Sequence, residues 1–231
     1  MMKTLTAALL TLLLALPAWA GGSRHFDHNN DRIEQATISL TAVTVAVWIY
    51  SPTATSNAQT IYNKEPVNGE SYLSTSSSDN INYRGGSASP QCTCSSVISD
   101  STWTHVAFTH TGTNAEVFVD GASCNACGTI TAMPNGTGII RWGTYNTGGF
   151  PFDGEMADLR IYDIVLSDAE IAEIATGDLS CVRNGLVTQL YAMEPGTDPG
   201  FPDRSGNGND GTNEGTTESS NGPPIFWPSG D

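Results

Sequence analysis

Three kinds of residue in this sequence could do chemistry: five cysteines, a few clustered acids, and one aromatic turn. Cys92 and Cys94 form a C-x-C pair, and Cys124 and Cys127 form a C-x-x-C pair about thirty residues further on. That spacing fits a four-thiolate zinc site. In an exported chain it reads as two disulfides instead. Bonds crossing from one pair to the other would tie two hairpin ends together, leaving Cys181 as the odd thiol.

The nearest thing to an acidic pair on a strand is Glu155 and Asp158. Their i, i+3 spacing sends them to opposite faces of a regular strand. Cleavage of a glycosidic bond needs two carboxyl groups facing each other across it. Glu170 and Glu173 read as solvated helix surface. No nucleophile elbow, H-E-x-x-H or P-loop spacing occurs. His105 shares a strand face with Trp103 and Ala107 and reads as core, while His25, His28 and His110 show no metal-ligand spacing.

Two loops hold candidate binding groups. Residues 203–210 (DRSGNGND) cluster side-chain oxygens on a glycine-rich stretch. Hard oxygen donors suit calcium, which makes Asp203 and Asn207 candidate ligands. The competing reading is a loop that bonds its own backbone through Asx turns. No glutamate closes it at the twelfth position, so it is not an EF-hand. Residues 145–150 (YNTGGF) place two aromatics and an amide on one turn, the combination that sugar recognition uses. Tyr145, Asn146 and Phe150 are therefore candidate ligand-binding residues. The competing reading is a hairpin loop with a packing Phe.

Export is expected from the first twenty residues. Lys3 precedes an apolar run, Leu5 to Leu16, and Ala18-Trp19-Ala20 has the small-x-small form of a signal-peptidase site. The run is shorter than the roughly 20 residues a bilayer span needs. Cutting after Ala20 leaves about 211 residues, enough for one large core. The processed chain keeps 24 acidic and 8 basic residues, a net charge near −16, with Lys64 its one lysine. Such a charge repels phosphate backbones and anionic membrane surfaces.

The elements that must position these groups read as β-strands. Short β-rich runs recur between Gly, Asn, Asp and Pro clusters. In residues 41–50 (TAVTVAVWIY), Val43, Val45, Val47 and Ile49 form one apolar face, and Ala46, Trp48 and Tyr50 the other. A strand apolar on both faces is central and covered on both sides. Weaker candidates cover 59–63, 72–75 and 80–84. Residues 103–109 and 115–119 read as a strand pair followed by a tight Asp120-Gly121 turn. Further strands are expected over 139–145, 152–162 and 185–193. On the second of these, Leu159 and Ile161 share one face, and Met156, Arg160 and Tyr162 the other. Ser167 to Gly177 reads as a helix, with a Ser167/Glu170 capping box and Ile171 and Ile174 on its apolar stripe. Residues 195–222 read as loop, and the apolar ending at Phe226-Trp227 as a segment docked on the body.

Three segments resemble a known family. WTHVAFTHTGTNAEVFVDG (103–121) resembles the W-x-H-V-A … V-D-G hairpin of laminin G-like jelly rolls. FDGEMADLRIYDIVLSDAEIAEI (152–174) is similar to that family's late strand and following helix. FDHNNDRIEQATISLTAVTVAVWIY (26–50) is similar to its early F-D-G-x-x-D-x-V … T-V-x-A-W segment. The resemblance implies an all-β fold, the two-sheet antiparallel jelly-roll sandwich of concanavalin A-like lectins and glucanases. One segment is out of place. GLVTQLYAM (185–193) with DRSGNGNDGTNEG (203–215) resembles the part that normally opens such a domain, and here it closes the chain. That implies a circularly permuted single domain over 21–231 in which 185–231 completes the sandwich. The alternative is the stump of a second domain.

The resemblance also bears on the site. Glycosidases of this superfamily carry Glu-x-Asp-x-x-Glu on one strand, and no such run exists here. Many laminin G-like and pentraxin-like domains hold calcium at the sandwich rim. Asp158 lies where relatives place an acidic strand residue, so it joins Asp203 and Asn207 as an implied calcium ligand. The preceding acidic position of the family pattern is Ala157 here. The expectation is a secreted, extracellular or periplasmic binding module without catalysis, taking a glycan or an extracellular or cell-surface protein as partner. A structural or assembly protein of an envelope, filament or matrix is the alternative, and a glycan-cleaving enzyme the third reading. No nucleic-acid partner and no membrane insertion are expected, and the oligomeric state is not legible.

Overall fold

The computed structural model describes residues 22–40, 42–52, 57–65, 71–86, 92–130, 138–191 and 200–225. The expected leader (1–20) and Phe226-Trp227 lie outside them. In chain order the elements are β1 (Ser23–Asp27), β2 (Arg32–Gln35), β3 (Ala42–Ser51), β4 (Gln59–Lys64), β5 (Ser71–Ser76) and β6 (Asn80–Gly85). Next come β7 (Cys92–Cys94), β8 (Thr102–Thr111), β9 (Asn114–Val119), β10 (Ala122–Thr129), β11 (Ile140–Trp142) and β12 (Asp153–Tyr162). Helix α1 (Asp168–Ile174) follows, then β13 (Leu186–Leu190), β14 (Gly200–Phe201), β15 (Gly211–Glu214) and β16 (Thr217–Ser219).

The strands form two antiparallel sheets. The first runs β10-β9-β8-β3-β12-β1-β16, with β13 also on β12. The second runs β14-β15-β2-β11-β4-β5-β6-β7. The predicted central strand is central: β3 lies between β8 and β12. Its Val43, Val45, Val47 and Ile49 pack between the sheets with Phe108, Ile61, Tyr62, Tyr83 and Trp142. Each such buried aliphatic side chain contributes about 1.5–3 kcal/mol relative to exposure. Its other face carries Ala46 and Trp48, which pack under outer elements. Ile171 and Ile174 of α1 bury there as expected, and the Ser167/Glu170 capping box forms. At the end of the helix, Gly177 has φ +87°, and a Cβ there would lie 2.3 Å from the Pro224 carbonyl oxygen. The Asp120-Gly121 turn has positive φ at both residues (48° and 78°), as a tight hairpin turn requires.

Three expectations need correction. Residues 195–222 are not all loop, because β14, β15 and β16 lie within them. These strands are short and polar, so alternation does not reveal them. The strand expected over 139–145 narrows to Ile140–Trp142. The faces of β12 also differ from a regular alternation. Its register against β3 shifts between Ala157 and Arg160, and Asp158 has φ +48°. The extra residue is a β-bulge. It returns Met156 to the core face with Leu159 and Ile161, and puts Glu155, Ala157, Asp158 and Arg160 on the outer face.

The end of the chain is built into both sheets. β1 pairs with β12 over Asp153–Met156, and β13 pairs with the same edge of β12 over Leu159–Tyr162. Both run antiparallel to β12, so β13 and β1 lie end to end and share one strand position. β15 pairs with β2, and β16 with β1. Across the interior, Gln35 donates from Nε2 to Thr188 Oγ1 (3.3 Å) and accepts from Trp142 Nε1 (2.9 Å), tying β13 to the opposite sheet.

Cys92 bonds to Cys127 and Cys94 to Cys124, the crossed pattern expected, and Cys181 is a buried free thiol. The two bonds staple β7, the last strand of one sheet, to β10, the last strand of the other. They close chain loops of 35 and 30 residues. Replacing Cys94 and Cys124 together by serine is expected to lower unfolding free energy by about 3 kcal/mol. Urea unfolding checks this, and an unchanged midpoint would mean that the staple carries no stability.

Candidate functional site

Alternation along β4, β5 and β6 sets one row of side chains on the outer face of the second sheet. Tyr72, Ser74 and Ser76 lie at i, i+2 and i+4 of β5, and Asn82 and Arg84 at i and i+2 of β6. Register then places Thr60 beside Ser74, Ser74 beside Asn82, and Asn82 beside Thr93. This is a polar row across four strands. Asn82 donates from Nδ2 to Ser76 Oγ (2.8 Å) and accepts at Oδ1 from the Thr93 hydroxyl (2.8 Å). One strand step away, Tyr72 stands opposite Arg84, whose guanidinium carbon lies 6.0 Å from the Tyr72 ring centroid.

The turn after β11 rises over this row. Tyr145 and Gly149 exchange backbone hydrogen bonds (2.7 and 2.8 Å), and the Thr144 hydroxyl donates to the Gly149 carbonyl (3.2 Å). Gly148 has φ +135°, and a Cβ there would meet Asn30 Oδ1 at 2.5 Å, so only glycine fits. Phe150 has φ +48°, a left-handed conformation that costs a bulky residue about 1 kcal/mol or more. It is held there by the Thr60 N–H, which donates to its carbonyl (2.8 Å), and its side chain is 59% exposed. Tyr145 meets Phe150 at 6.1 Å and Tyr72 at 5.8 Å between ring centroids, both edge to face.

The row and the turn enclose a cleft of about 430 Å³. Thr60, Ser74 and Asn82 line its floor, and Tyr72, Tyr145 and Phe150 its aromatic wall, with Arg84 beside them. Among the described residues, no Asp or Glu lines it. Ring faces can stack on an apolar ligand face, while hydroxyls, an amide and a guanidinium hydrogen-bond its polar edge.

The structure brings Tyr145 and Phe150 together but not Asn146. The backbone N–H of Asn146 donates to Asn63 Oδ1 (3.3 Å), and the residue is not among those lining the cleft. Tyr72, Asn82 and Arg84 were missed. Their signal was the polar alternate positions of the weak strand candidates, which carry no meaning until the strands are paired.

The residues expected to share calcium are engaged by groups of the protein itself. Asp158 is fully engaged by Arg160: Nε reaches Oδ1 (3.0 Å) and Oδ2 (2.8 Å), and Nη2 reaches Oδ2 (2.8 Å). Gln189 Nε2 adds a further bond to Asp158 Oδ1 (3.2 Å). Asp203 accepts from the N–H groups of Gln189, Ser205 and Asn209 and from the Ser205 hydroxyl. Burial would raise its pKa, but the Ser205 hydroxyl and these N–H groups hold it below the usual carboxylate range. Asn207 uses its amide N–H groups on the Leu186 carbonyl (2.9 Å) and Ser205 Oγ (3.0 Å). Asp203 thus makes the Asx turn weighed against calcium, and this donor set as it stands does not fit a cation. Among the described residues, no group of three or more His, Cys, Asp or Glu side chains is placed to hold one.

Glu155 and Asp158, now on one face, do not form an acid pair. Glu155 accepts from the Ser23 hydroxyl, while Asp158 faces Arg160. His105 is buried, with its ring edge to face against Trp48 at 5.3 Å. Burial, with the nearby Arg160 charge, pushes its pKa down to about 3.

The sequence profile of the concanavalin A-like lectin/glucanases superfamily matches residues 21–172. The chain belongs to this superfamily. No curated protein sequence matches it. As a superfamily member it shares its fold with several solved structures. One is a putative carbohydrate binding protein from Bacteroides ovatus, at 17% identity and TM-score 0.67, covering 89% of this chain and 61% of that one. The chain therefore spans about three-fifths of that protein's length. A second is the heptameric SAP-like pentraxin of Limulus polyphemus, at 16% identity and TM-score 0.63, covering 89% of this chain and 97% of that one. A third is the CBM40 of the Ruminococcus gnavus IT-sialidase bound to α2,3-sialyllactose, at 12% identity and TM-score 0.52, covering 67% and 96%.

Proposed function

We propose that this superfamily member is a secreted, non-catalytic glycan-binding module whose ligand lies in the cleft between the 144–150 turn and β4, β5 and β6. The observation that carries this reading is the cleft itself: an aromatic wall and a hydroxyl-and-amide floor on one open sheet face, with no carboxylate among the described lining residues. Phe150 supports it further. An exposed aromatic held in a strained backbone conformation contributes nothing to the core, and such strain clusters at ligand sites. Structures of similar fold include proteins named as carbohydrate-binding. Secretion is supported by the leader-like start of the sequence and by two disulfides, which form in oxidising compartments. Among the described residues, no helix is long and apolar enough to cross a membrane.

A glycan array identifies the ligand, and titration of the best oligosaccharide against Phe150→Ala tests the site. Loss of one stacking face is expected to weaken binding about two- to tenfold, since aromatic stacking contributes roughly 0.5–1.5 kcal/mol. The melting temperature is expected not to fall, because the ring is exposed and its backbone strained. Unchanged affinity would move the site off this cleft.

A further inference from the structure

We propose that the two disulfides serve the cleft as well as the fold. They hold β7 so that Thr93 fixes the Asn82 amide on the cleft floor, which makes Thr93 a positioning residue for the bound saccharide. This rests on the cleft being the saccharide site. β7 is three residues long and is the last strand of its sheet. It pairs with β6 through Tyr83 and Cys92, Asn82 and Thr93, and Ile81 and Cys94. Alternation turns Cys92 and Cys94 inward, where both are buried in the core, and turns Thr93 outward onto the polar row. The residue between the two bonded cysteines is therefore the one that reaches Asn82.

Asn82 lines the cleft, and its amide is held at both ends, by Ser76 Oγ on β5 and by the Thr93 hydroxyl on β7 (both 2.8 Å). An amide used once at each end keeps one N–H and one lone pair. With its plane fixed, both stand ready for a sugar hydroxyl, and no rotamer has to be ordered when the sugar binds. Thr93 depends in turn on β10. Asn125, between Cys124 and Cys127 in the chain, donates from Nδ2 to the Thr93 carbonyl (2.8 Å). The bonds Cys92–Cys127 and Cys94–Cys124 lie on either side of that contact. So short an edge strand makes few ladder bonds, and such segments open locally at a lower cost than the whole fold. The two disulfides oppose that opening. Without them Thr93 leaves Asn82, and the sugar must order the amide itself.

The probe is the oligosaccharide bound most tightly on a glycan array. It is titrated against the wild type, Thr93→Val, Thr93→Ser, Asn82→Ala, the Asn82→Ala/Thr93→Val double variant and the Cys94→Ser/Cys124→Ser protein, below the melting temperature of each. Thr93→Val keeps the shape and removes the hydroxyl. It is expected to weaken binding about fivefold, the ordinary net worth of one neutral hydrogen bond. Thr93→Ser is expected to restore the affinity. In the Asn82→Ala background, Thr93→Val is expected to change nothing further, because Thr93 acts only through the amide. The folded cysteine variant is expected to lose affinity by a similar factor. Wild-type affinity in Thr93→Val overturns the inference, as does an equal loss from Thr93→Val with and without Asn82. Wild-type affinity in the folded cysteine variant overturns it as well, and if that variant fails to fold, the Thr93 series decides. Weakened binding in Phe150→Ala beside wild-type affinity in Thr93→Val ends this inference and leaves the glycan reading standing, whereas silence across the whole array ends both.

Discussion

Asp158→Ala is expected to lower unfolding free energy by about 3–5 kcal/mol, because it strands a buried guanidinium. Asp158 and Arg160 are only 3% and 1% exposed. Their pairing is doubly hydrogen-bonded, and the rest of the guanidinium is used as well. Arg160 Nη2 donates to the Asp178 carbonyl (2.8 Å), and Nη1 lies near the Tyr162 hydroxyl (3.4 Å) and the Cys181 carbonyl (3.4 Å). Gln189 then bridges Asp158 to the Leu179 carbonyl (3.1 Å). The network joins β12, β13 and the 178–181 segment at the bulge. Alanine also tolerates the φ of +48° at position 158 poorly, so Asp158→Asn, which suits that conformation, isolates the charge. Arg160→Met in the Asp158→Asn background is expected to recover most of the loss, since it removes the uncompensated charge. Denaturant unfolding of the four proteins measures this. A single-mutant loss below about 1 kcal/mol would mean that water reaches the pair, contrary to its burial.

The second large effect is acid sensitivity through His105. In the unfolded chain its imidazole titrates near its ordinary pKa of 6.5, and in the fold near 3. The unfolded state therefore binds the extra proton first. Stability is full above pH 6.5 and falls as pH drops from 6.5 toward 3, by about 1.4 kcal/mol per unit. Across the whole interval that is on the order of 4–5 kcal/mol. Carboxylates add loss only below about pH 5, so the interval from 6.5 to 5 isolates histidine. His105→Gln is expected to flatten the stability curve there, whatever its effect at pH 7. A slope identical to wild type would show that His105 takes up a proton in the folded state.

Both effects sit under the outer cover of the first sheet, opposite the face that carries the cleft. One sheet is sealed by α1 and the C-terminal segment, while the other leaves its β4–β6 face with the open cleft. The division follows from composition. Trp48, Ala157, Tyr162 and Ala107 make the outer face of the first sheet apolar, so it must be covered. Thr60, Ser74, Ser76 and Asn82 make the other face polar, so it tolerates water or sugar.

Much of the fold was legible because it depends on local rules. Two apolar faces on residues 41–50 imply a central strand, whatever its neighbours. Ser167 and Glu170 cap a helix within one turn, and two close cysteine pairs in an exported chain suggest bonds from one pair to the other. Tyr145 and Phe150 stood out because an aromatic pair in a glycine-rich turn has few local reasons to exist. The bulge at Asp158 was not legible, because one extra residue reverses every side chain on one side of it and leaves no mark in composition. It moved Met156 into the core and turned an assumed rim ligand into one half of a buried ion pair.

The sequence alone thus determined the class of fold, the bonding of one cysteine pair to the other and two of the three aromatics of the cleft, since each rests on residues close in the chain or on strand periodicity; which cysteine meets which was decided by the structure. Only the tertiary structure decided the floor of the cleft, the place of Arg84 and the joining of β13 to β1. Those depend on register between strands far apart in the chain, and register is set by how both sheets fit around their common core.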